Sequence, residues 1–305
     1  MRAHFHHTVS GHFRLEAVRP NGQRRLLAEF DNLITDWGLD RMGDNADWLT
    51  ACHVGSGNTA PANGDTALVS HIATTSTVQS DTSGNAATAP YYAWRKRVYR
   101  FAAGAAAGNL AEVAIGLGTA SGSYAFSRAL IRDGMGDPTT ITILADEILD
   151  VTYEFRFYAP EADATGSVTD PETLVDHNWT GRASSVTSAV LWEIGNNGRS
   201  MRYAGITSAD ARAFDGAIQA VTLAPSGVAS NSSARTPAAY SNGNHYVDLE
   251  LLFGLNQANF TPAGVGAVQF RLGIGTYQIG FDPKPLKTVD DELKVTARVS
   301  WSRRP

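Results

Sequence analysis

Few residues in this chain have the type and spacing to do chemistry. His4, His6 and His7 form the densest group of potential metal ligands. With no carboxylate or cysteine nearby, they are expected to form a solvated or inter-subunit tail rather than a metal centre. The single cysteine, Cys52, excludes an intrachain disulfide and a thiolate cluster on zinc. Adjacent strand residues point to opposite faces, so the neighbouring His53 is badly placed to act as its base, and Cys52 is expected to be buried and inert. Gly116-Leu-Gly118 and Gly273-Ile-Gly275 lack the third glycine of a dinucleotide fingerprint and lie in strand-like sequence, so neither is expected to cradle a phosphate. The sequence has no Gly-x-Ser-x-Gly elbow and no Gly-Lys-Ser/Thr ending.

The basic run Arg95-Lys-Arg97 with Arg100 divides on a strand, Arg95 and Arg97 facing one way and Lys96 and Arg100 the other. A solvated edge or a salt-bridged surface toward another subunit is expected there, not nucleic-acid binding. Asp290-Asp291-Glu292 adjoins a strand start, where it keeps the edge soluble, and no two carboxylates are placed as an acid/base pair. Trp179, Tyr240 and Tyr246 fall in or beside expected loops. Aromatic faces there can stack on a sugar, although core packing is the default. The expectation is no enzyme, with no catalytic, cofactor-binding or metal residues.

Composition agrees. Of 305 residues, 43% are hydrophobic and 18% charged, below the roughly 25% charged that is usual in soluble domains. Gly, Ala, Ser and Thr fill the gap, as in short strands and many turns with neutral surfaces. A net charge of −5, from 25 Lys+Arg against 30 Asp+Glu, gives no reason to expect nucleic acid or an anionic membrane as partner. The N-terminus has no apolar secretory core, and no apolar run is long enough to span a membrane. The Asn-X-Ser/Thr triplets at Asn178, Asn231 and Asn259 therefore carry little meaning, and assembly in the cytoplasm is expected.

Period-two alternation dominates the elements that must position these residues. Phe13, Leu15 and Ala17 share one face, the Asn21-Gly22 turn follows with both positions tolerant of positive φ, and the return strand places Leu26, Ala28 and Phe30 inward. From 32 to 49 the period changes. Leu33, Trp37, Met42 and Trp48 line one side of a helix broken at Gly38 and Gly43. A short strand at His53-Val54 runs into a loop over 55–65. Further strands are expected over 91–101, 110–117, 140–144, 149–158, 186–194, 247–253, 268–274 and 293–301. Loops are expected over 74–88, 227–237 and 241–244, a linker over 161–170, and a short helix over 210–219. The predicted fold is mainly β, with two sandwich-like modules at 1–160 and 161–305.

An internal repeat is suggested. Asp146–Arg156 matches Asp291–Ser300 once a residue is skipped, Val113–Gly118 sits like Val268–Gly273, and Tyr124–Phe126 like Tyr277–Ile279. Duplication of a β-module produces such a pattern; so does coincidence among alternating strands. Phe157, or a close neighbour, should then occupy the place in the first module that Trp301 occupies in the second.

Four groups of segments, in order along nearly the whole chain, carry a resemblance. They are Asn32-Leu-Ile-Thr-Asp-Trp-Gly-Leu39 with Val54-Gly-Ser-Gly-Asn-Thr-Ala-Pro61 and Asp65-Thr-Ala-Leu68; Tyr99–Gly104, Gly108-Asn-Leu-Ala-Glu112 and Phe126-Ser-Arg-Ala-Leu130; Asp137–Thr142 leading to Glu147 and Val151-Thr-Tyr153; and Tyr277–Pro283, Lys287-Thr288 and Val299-Ser-Trp301. The chain thereby resembles structural proteins of tailed-bacteriophage virions, from the tail tip, baseplate or fibre attachment. The resemblance implies a non-catalytic virion subunit that assembles with copies of itself (a trimer or hexamer by tail symmetry) and with other phage tail proteins. The alternatives are a receptor-binding module holding host glycan or pilus through its loops, and a tail-tube or head-decoration subunit. A polysaccharide-cleaving enzyme stands further off, because it needs a carboxylate pair in a groove.

Overall fold

Alternation at the chain start produces an unusually long strand, β1 (Arg2–Val18), in which every odd side chain from Ala3 to Ala17 is buried. The computed structural model describes residues 2–44, 47–170, 173–205 and 210–305, and is 48% strand and 3% helix. A three-residue turn, Pro20-Asn21-Gly22, leads into β2 (Arg24–Asp31). Only Gly22 takes a positive φ (82°), while Asn21 caps the turn through its side chain, its Oδ1 accepting from Gln23 N at 3.0 Å. Leu26 is 49% exposed, contrary to its expected inward place. The ladder passes from Leu15↔Ala28 to Glu16↔Leu26, so Leu27 is an extra residue and the faces swap beyond it.

β3 (Leu33–Ile34) precedes α1 (Asp36–Asp44). Thr35 caps the helix, its Oγ1 accepting from Gly38 N at 2.9 Å. The helix is not broken at its glycines. A Cβ at Gly38 would stand 2.1 Å from the Phe126 carbonyl oxygen, so this glycine lets the helix lie against a strand. The buried face is Gly38, Leu39, Met42 and Gly43, with Trp37 only half-buried and Trp48 beyond the helix end.

The first half continues through β4 (Ala51–Gly55), β5 (His71–Thr75), β6 (Val78–Asn85), β7 (Tyr92–Phe101), β8 (Gly108–Leu110), β9 (Glu112–Gly116), β10 (Ala125–Leu130), β11 (Ile141–Ile143) and β12 (Ile148–Tyr158). The second comprises β13 (Ala164–Thr169), β14 (Asp176–Ala183), β15 (Ala211–Phe214), β16 (Ala229–Asn231), β17 (Ala234–Pro237), β18 (Tyr246–Phe253), β19 (Ala267–Leu272), β20 (Gly275–Asp282) and β21 (Leu293–Arg303). Several expectations change here. The loop expected over 74–88 contains β6, the linker over 161–170 contains β13, the loop over 227–237 contains β16 and β17, and the helix expected over 210–219 is instead β15. These are mostly exposed or short strands, and a strand with no buried face has no alternation to show. The strand expected over 186–194 is a series of turns that buries Val186, Trp192 and Ile194.

The strands form an eight-stranded sheet in the order β17-β18-β21-β1-β12-β7-β6 with β2 also on β1, a five-stranded sheet β3-β10-β9-β4-β5, a six-stranded sheet β13-β14-β20-β19-β15-β16, and a two-stranded ladder β11-β8. The large sheet packs on both others. Phe155 on β12 meets Phe126 and Trp48 at ring separations of 5.7 and 4.7 Å, and Phe5 on β1 meets Phe270 and Tyr277 at 5.9 and 4.7 Å. The boundary expected at 160 leaves the five-stranded sheet in the first half and the six-stranded sheet in the second, but the large sheet crosses it. β1 pairs antiparallel with β12 and parallel with β21, and one continuous core lies beneath both halves.

The ladders repeat in chain order. The pairs β4-β5, β4-β9, β9-β10 and β10-β3 have counterparts in β15-β16, β15-β19, β19-β20 and β20-β14. Likewise β6-β7 and β7-β12 correspond to β17-β18 and β18-β21, every pair antiparallel. The matched segments from 146 and 291 become β12 and β21, the two strands flanking β1. Phe157 and Trp301 are both buried there.

Candidate functional site

The amino-terminal histidines are not a tail, because β1 places them inside the large sheet. His4 and His6 face outward. Ser300 Oγ lies 2.7 Å from His4 Nε2 and 2.8 Å from His6 Nδ1, and Ser302 Oγ lies 3.1 Å from His6 Nε2. A groove of about 610 Å³ borders them, with Glu161, Asp163 and Arg304 on its walls. His7 faces inward and is fully buried. Its Nδ1 donates to the Tyr158 carbonyl oxygen at 2.7 Å, its Nε2 lies 2.8 Å from the Tyr277 hydroxyl, and its ring stacks on Phe157 at 4.3 Å. Burial pulls its pKa down to about 3, so the imidazole is neutral and structural. Among the described residues no three His, Cys, Asp or Glu side chains are grouped to hold a metal ion.

Cys52 lies in β4 with its thiol buried, and burial pushes the thiol pKa well up. The His53 ring projects from the other face of the strand. Its Nδ1 meets Thr74 Oγ1 at 2.8 Å and its Nε2 donates to the Leu117 carbonyl oxygen at 2.7 Å. Burial lowers the His53 pKa to about 4. The pair is not a nucleophile and its base.

The basic run divides as alternation requires, but one half is buried. Lys96 pairs with Glu154 at 2.7 Å and Arg100 with Asp150 at 2.7 Å on the outer face. Arg95 and Arg97 are each 6% exposed, and both bind Asp81 on β6. Arg95 also donates to the Ile194 carbonyl oxygen and to Asn196 Oδ1, at 2.8 and 2.9 Å. A segment of the second half therefore covers these arginines, and they serve as an internal fastening, not as a subunit-facing patch.

The densest polar constellation escaped sequence reasoning. Glu112 and Arg128 are both 0% exposed, on adjacent strands β9 and β10. Arg128 Nε donates to Glu112 Oε2 at 3.0 Å, Nη1 to Asp65 Oδ2 at 2.6 Å and Nη2 to the Thr59 carbonyl oxygen at 2.7 Å. Glu112 accepts from the backbone N–H groups of Gly57, Val69 and Ser70 at 3.0, 3.1 and 2.7 Å. The long turn-rich loop after β4 is thus tied down by one buried ion pair. The available signal was a lone acid and a lone base, each set among apolar strand residues. The site clamps a loop.

Of the aromatics considered for sugars, Trp179 is 8% exposed within β14. Tyr240 stacks on Trp301 at 5.9 Å and donates to Asp40 Oδ1 at 2.6 Å, while Tyr246 lies under the Arg298 guanidinium at 3.6 Å. None forms an open stacking platform. The glycine stretches are packing devices: Gly273 (φ 65°) turns β19 into β20. A second cavity, of about 710 Å³, opens where the β13 end, His177, Phe281 and the 285–295 segment meet, with Asp290, Asp291 and Glu292 along its rim.

No helix among the described residues is long and apolar enough to cross a membrane. In comparisons with protein-family models, with curated proteins and with solved structures, the chain matches none.

Proposed function

We propose that this protein is a structural subunit of a tailed-bacteriophage particle, in the tail tip, baseplate or fibre attachment, assembling with copies of itself and with other tail proteins. One observation carries the reading: of the four groups of segments that resemble phage virion proteins, the first two, far apart in sequence, meet around a single buried clamp. Thr59 and Asp65 come from the amino-terminal segments, Glu112 and Arg128 from the middle ones. Thr35, from the first, donates to the Ala125 carbonyl oxygen at 2.8 Å beside Phe126. In these two groups the resembling residues belong to one packed unit, which supports the reading.

The architecture suits such a part. A sheet shared by both halves through β1 resists hinging, and the open edge β6 is eight residues long without lysine or proline, a surface that assembly can cover. The glycan-binding alternative depends on loop aromatics beside Asp or Asn, and the packing of Trp179, Tyr240 and Tyr246 removes that support. Deleting the gene from the phage genome that encodes the chain, with and without a complementing copy, tests the role. Tails that are incomplete or non-infectious until complemented are expected; normal, infectious particles from the deletion would overturn it.

A further inference from the structure

A buried lysine rests on a side-chain amide at the wall of the second cavity. Lys287, in the connection from β20 to β21, is 4% exposed, and a lysine is almost never buried to that degree without a paired charge. Its Nζ donates to the amide oxygen of Asn259 at 2.8 Å and to the Thr288 carbonyl oxygen at 3.1 Å, both neutral acceptors. A C=O bond is about 1.2 Å long, so Nζ stands no more than about 4 Å from Asn259 Cγ. The amide is fixed at its other end, where Nδ2 donates to the Leu255 carbonyl oxygen at 2.7 Å. The turn that presents it is held too. Ala258 takes a φ of 58°, uncommon for a residue with a Cβ, and its N–H donates to Ser230 Oγ at 2.8 Å. Burial lowers the Lys287 pKa, outweighing the carboxylates of Asp291 and Glu292 that act against it. Asp291 is itself held beside the lysine, its Oδ2 accepting from Thr288 Oγ1 at 2.7 Å.

We infer that Lys287 and Asn259 join in an intramolecular isopeptide bond. The ammonium first gives a proton to the Asp291 or Glu292 carboxylate, and the desolvated amine is then a nucleophile. Its lone pair attacks Asn259 Cγ, forming the Nζ–Cγ bond. The tetrahedral adduct passes one Nζ proton to the amide nitrogen, the Cγ–Nδ2 bond breaks, and ammonia leaves through the adjoining cavity. The new link is a secondary amide, and no further reactant enters the balance. Holding amine and amide together inside the fold makes the step intramolecular, which is what raises its rate above that of free lysine and asparagine. The bond ties the connection after β18 to the one before β21, two segments that the Val265 N–H already brings together by donating to the Pro285 carbonyl oxygen at 2.8 Å. Like a disulfide, it restricts the unfolded chain. It requires only residues of this chain, so it stands or falls apart from the proposed place in a particle.

Mass spectrometry of the full, folded chain tests this. After incubation at about pH 8, where more of the amine is neutral, the intact mass should fall about 17 Da short of the sequence mass, the loss of one ammonia. A protease digest should yield a branched peptide joining residues 259 and 287. The Asn-Gly pairs at Asn21, Asn63, Asn197 and Asn242 can also lose ammonia, as cyclic imides, so the branch point decides and not the mass alone. Lys287→Arg keeps the charge, but its guanidinium stays protonated and cannot attack; Asn259→Ala removes the acceptor carbon. Neither variant should give the branched peptide. If a variant fails to fold, the wild-type digest decides by itself. Recovery of the Asn259 and Lys287 peptides only in unlinked form, or a branch at Lys287 that survives in Asn259→Ala, would overturn the inference.

Discussion

Acidification from about pH 7.5 to about pH 5 should destabilise the fold by about 4 kcal/mol, half of it traceable to one imidazole in the central strand. His7 and His53 are held neutral by burial, with pKa values of about 3 and about 4 against 6.5 for a free imidazole. A depressed folded pKa means the unfolded chain binds the proton first. Stability is therefore full above 6.5 and is lost as pH falls toward the folded values. Over that interval each histidine costs about 1.4 kcal/mol per pH unit, hence about 2 kcal/mol at about pH 5. His4 and His6, also lowered by partial burial, add a smaller part because their face is wet. The lowered carboxylates, such as Asp150 and Glu147, contribute below the free carboxylate range and leave this interval largely to histidine. His7→Phe should be less stable at neutral pH, since the Tyr158 carbonyl and the Tyr277 hydroxyl lose their partner. Its pH slope, however, should be flatter by about 2 kcal/mol over the same interval. Urea unfolding at a series of pH values, followed by tryptophan fluorescence, measures both. An unchanged slope in His7→Phe would refute the assignment.

Arg128→Met strands a buried carboxylate and should cost about 3–5 kcal/mol, with protease cutting appearing first in the 56–70 loop. Arg128→Met/Glu112→Leu should recover part of that loss, read from the urea midpoint. Trp301 is buried and its Nε1 donates to the Leu39 carbonyl oxygen at 3.0 Å. Trp301→Ala should thus lower stability by about 3–5 kcal/mol, and because β1 joins both halves the calorimetric transition should stay single; two separated transitions would contradict a shared sheet. Cys52→Ser should cost about 1–3 kcal/mol through a hydroxyl buried in the core while leaving assembly intact.

Much of the architecture was legible where strands have one wet and one dry face. The second half of β1, together with β12, β18 and β21, read directly because each hides alternate residues, whereas the histidine-bearing first half of β1 was expected to be a tail. β6 and β13 did not, because at exposed edges Ser, Thr and Gly on both faces leave no contrast. The 186–194 segment failed the opposite way. Its apolar residues look like a strand, but turns fold it so that Trp192 Nε1 reaches the Ser184 carbonyl oxygen at 2.8 Å. Cys52 and the splitting of the basic run followed from side-chain alternation alone. The Glu112–Arg128 clamp was not legible, since it depends on which distant backbone groups arrive beside it. The ladder correspondence between halves is clearer than the matching residues that first suggested it, because pairing order survives substitution.

A structural subunit must be present in the finished particle at a fixed copy number. Quantitative mass spectrometry of density-purified, salt-washed particles made from the genome that encodes this chain measures that directly. The proposed role predicts the full chain in intact particles at a constant ratio to the other tail proteins, in a multiple set by tail symmetry. Abundant chain in the lysate with none in the washed particles would contradict it.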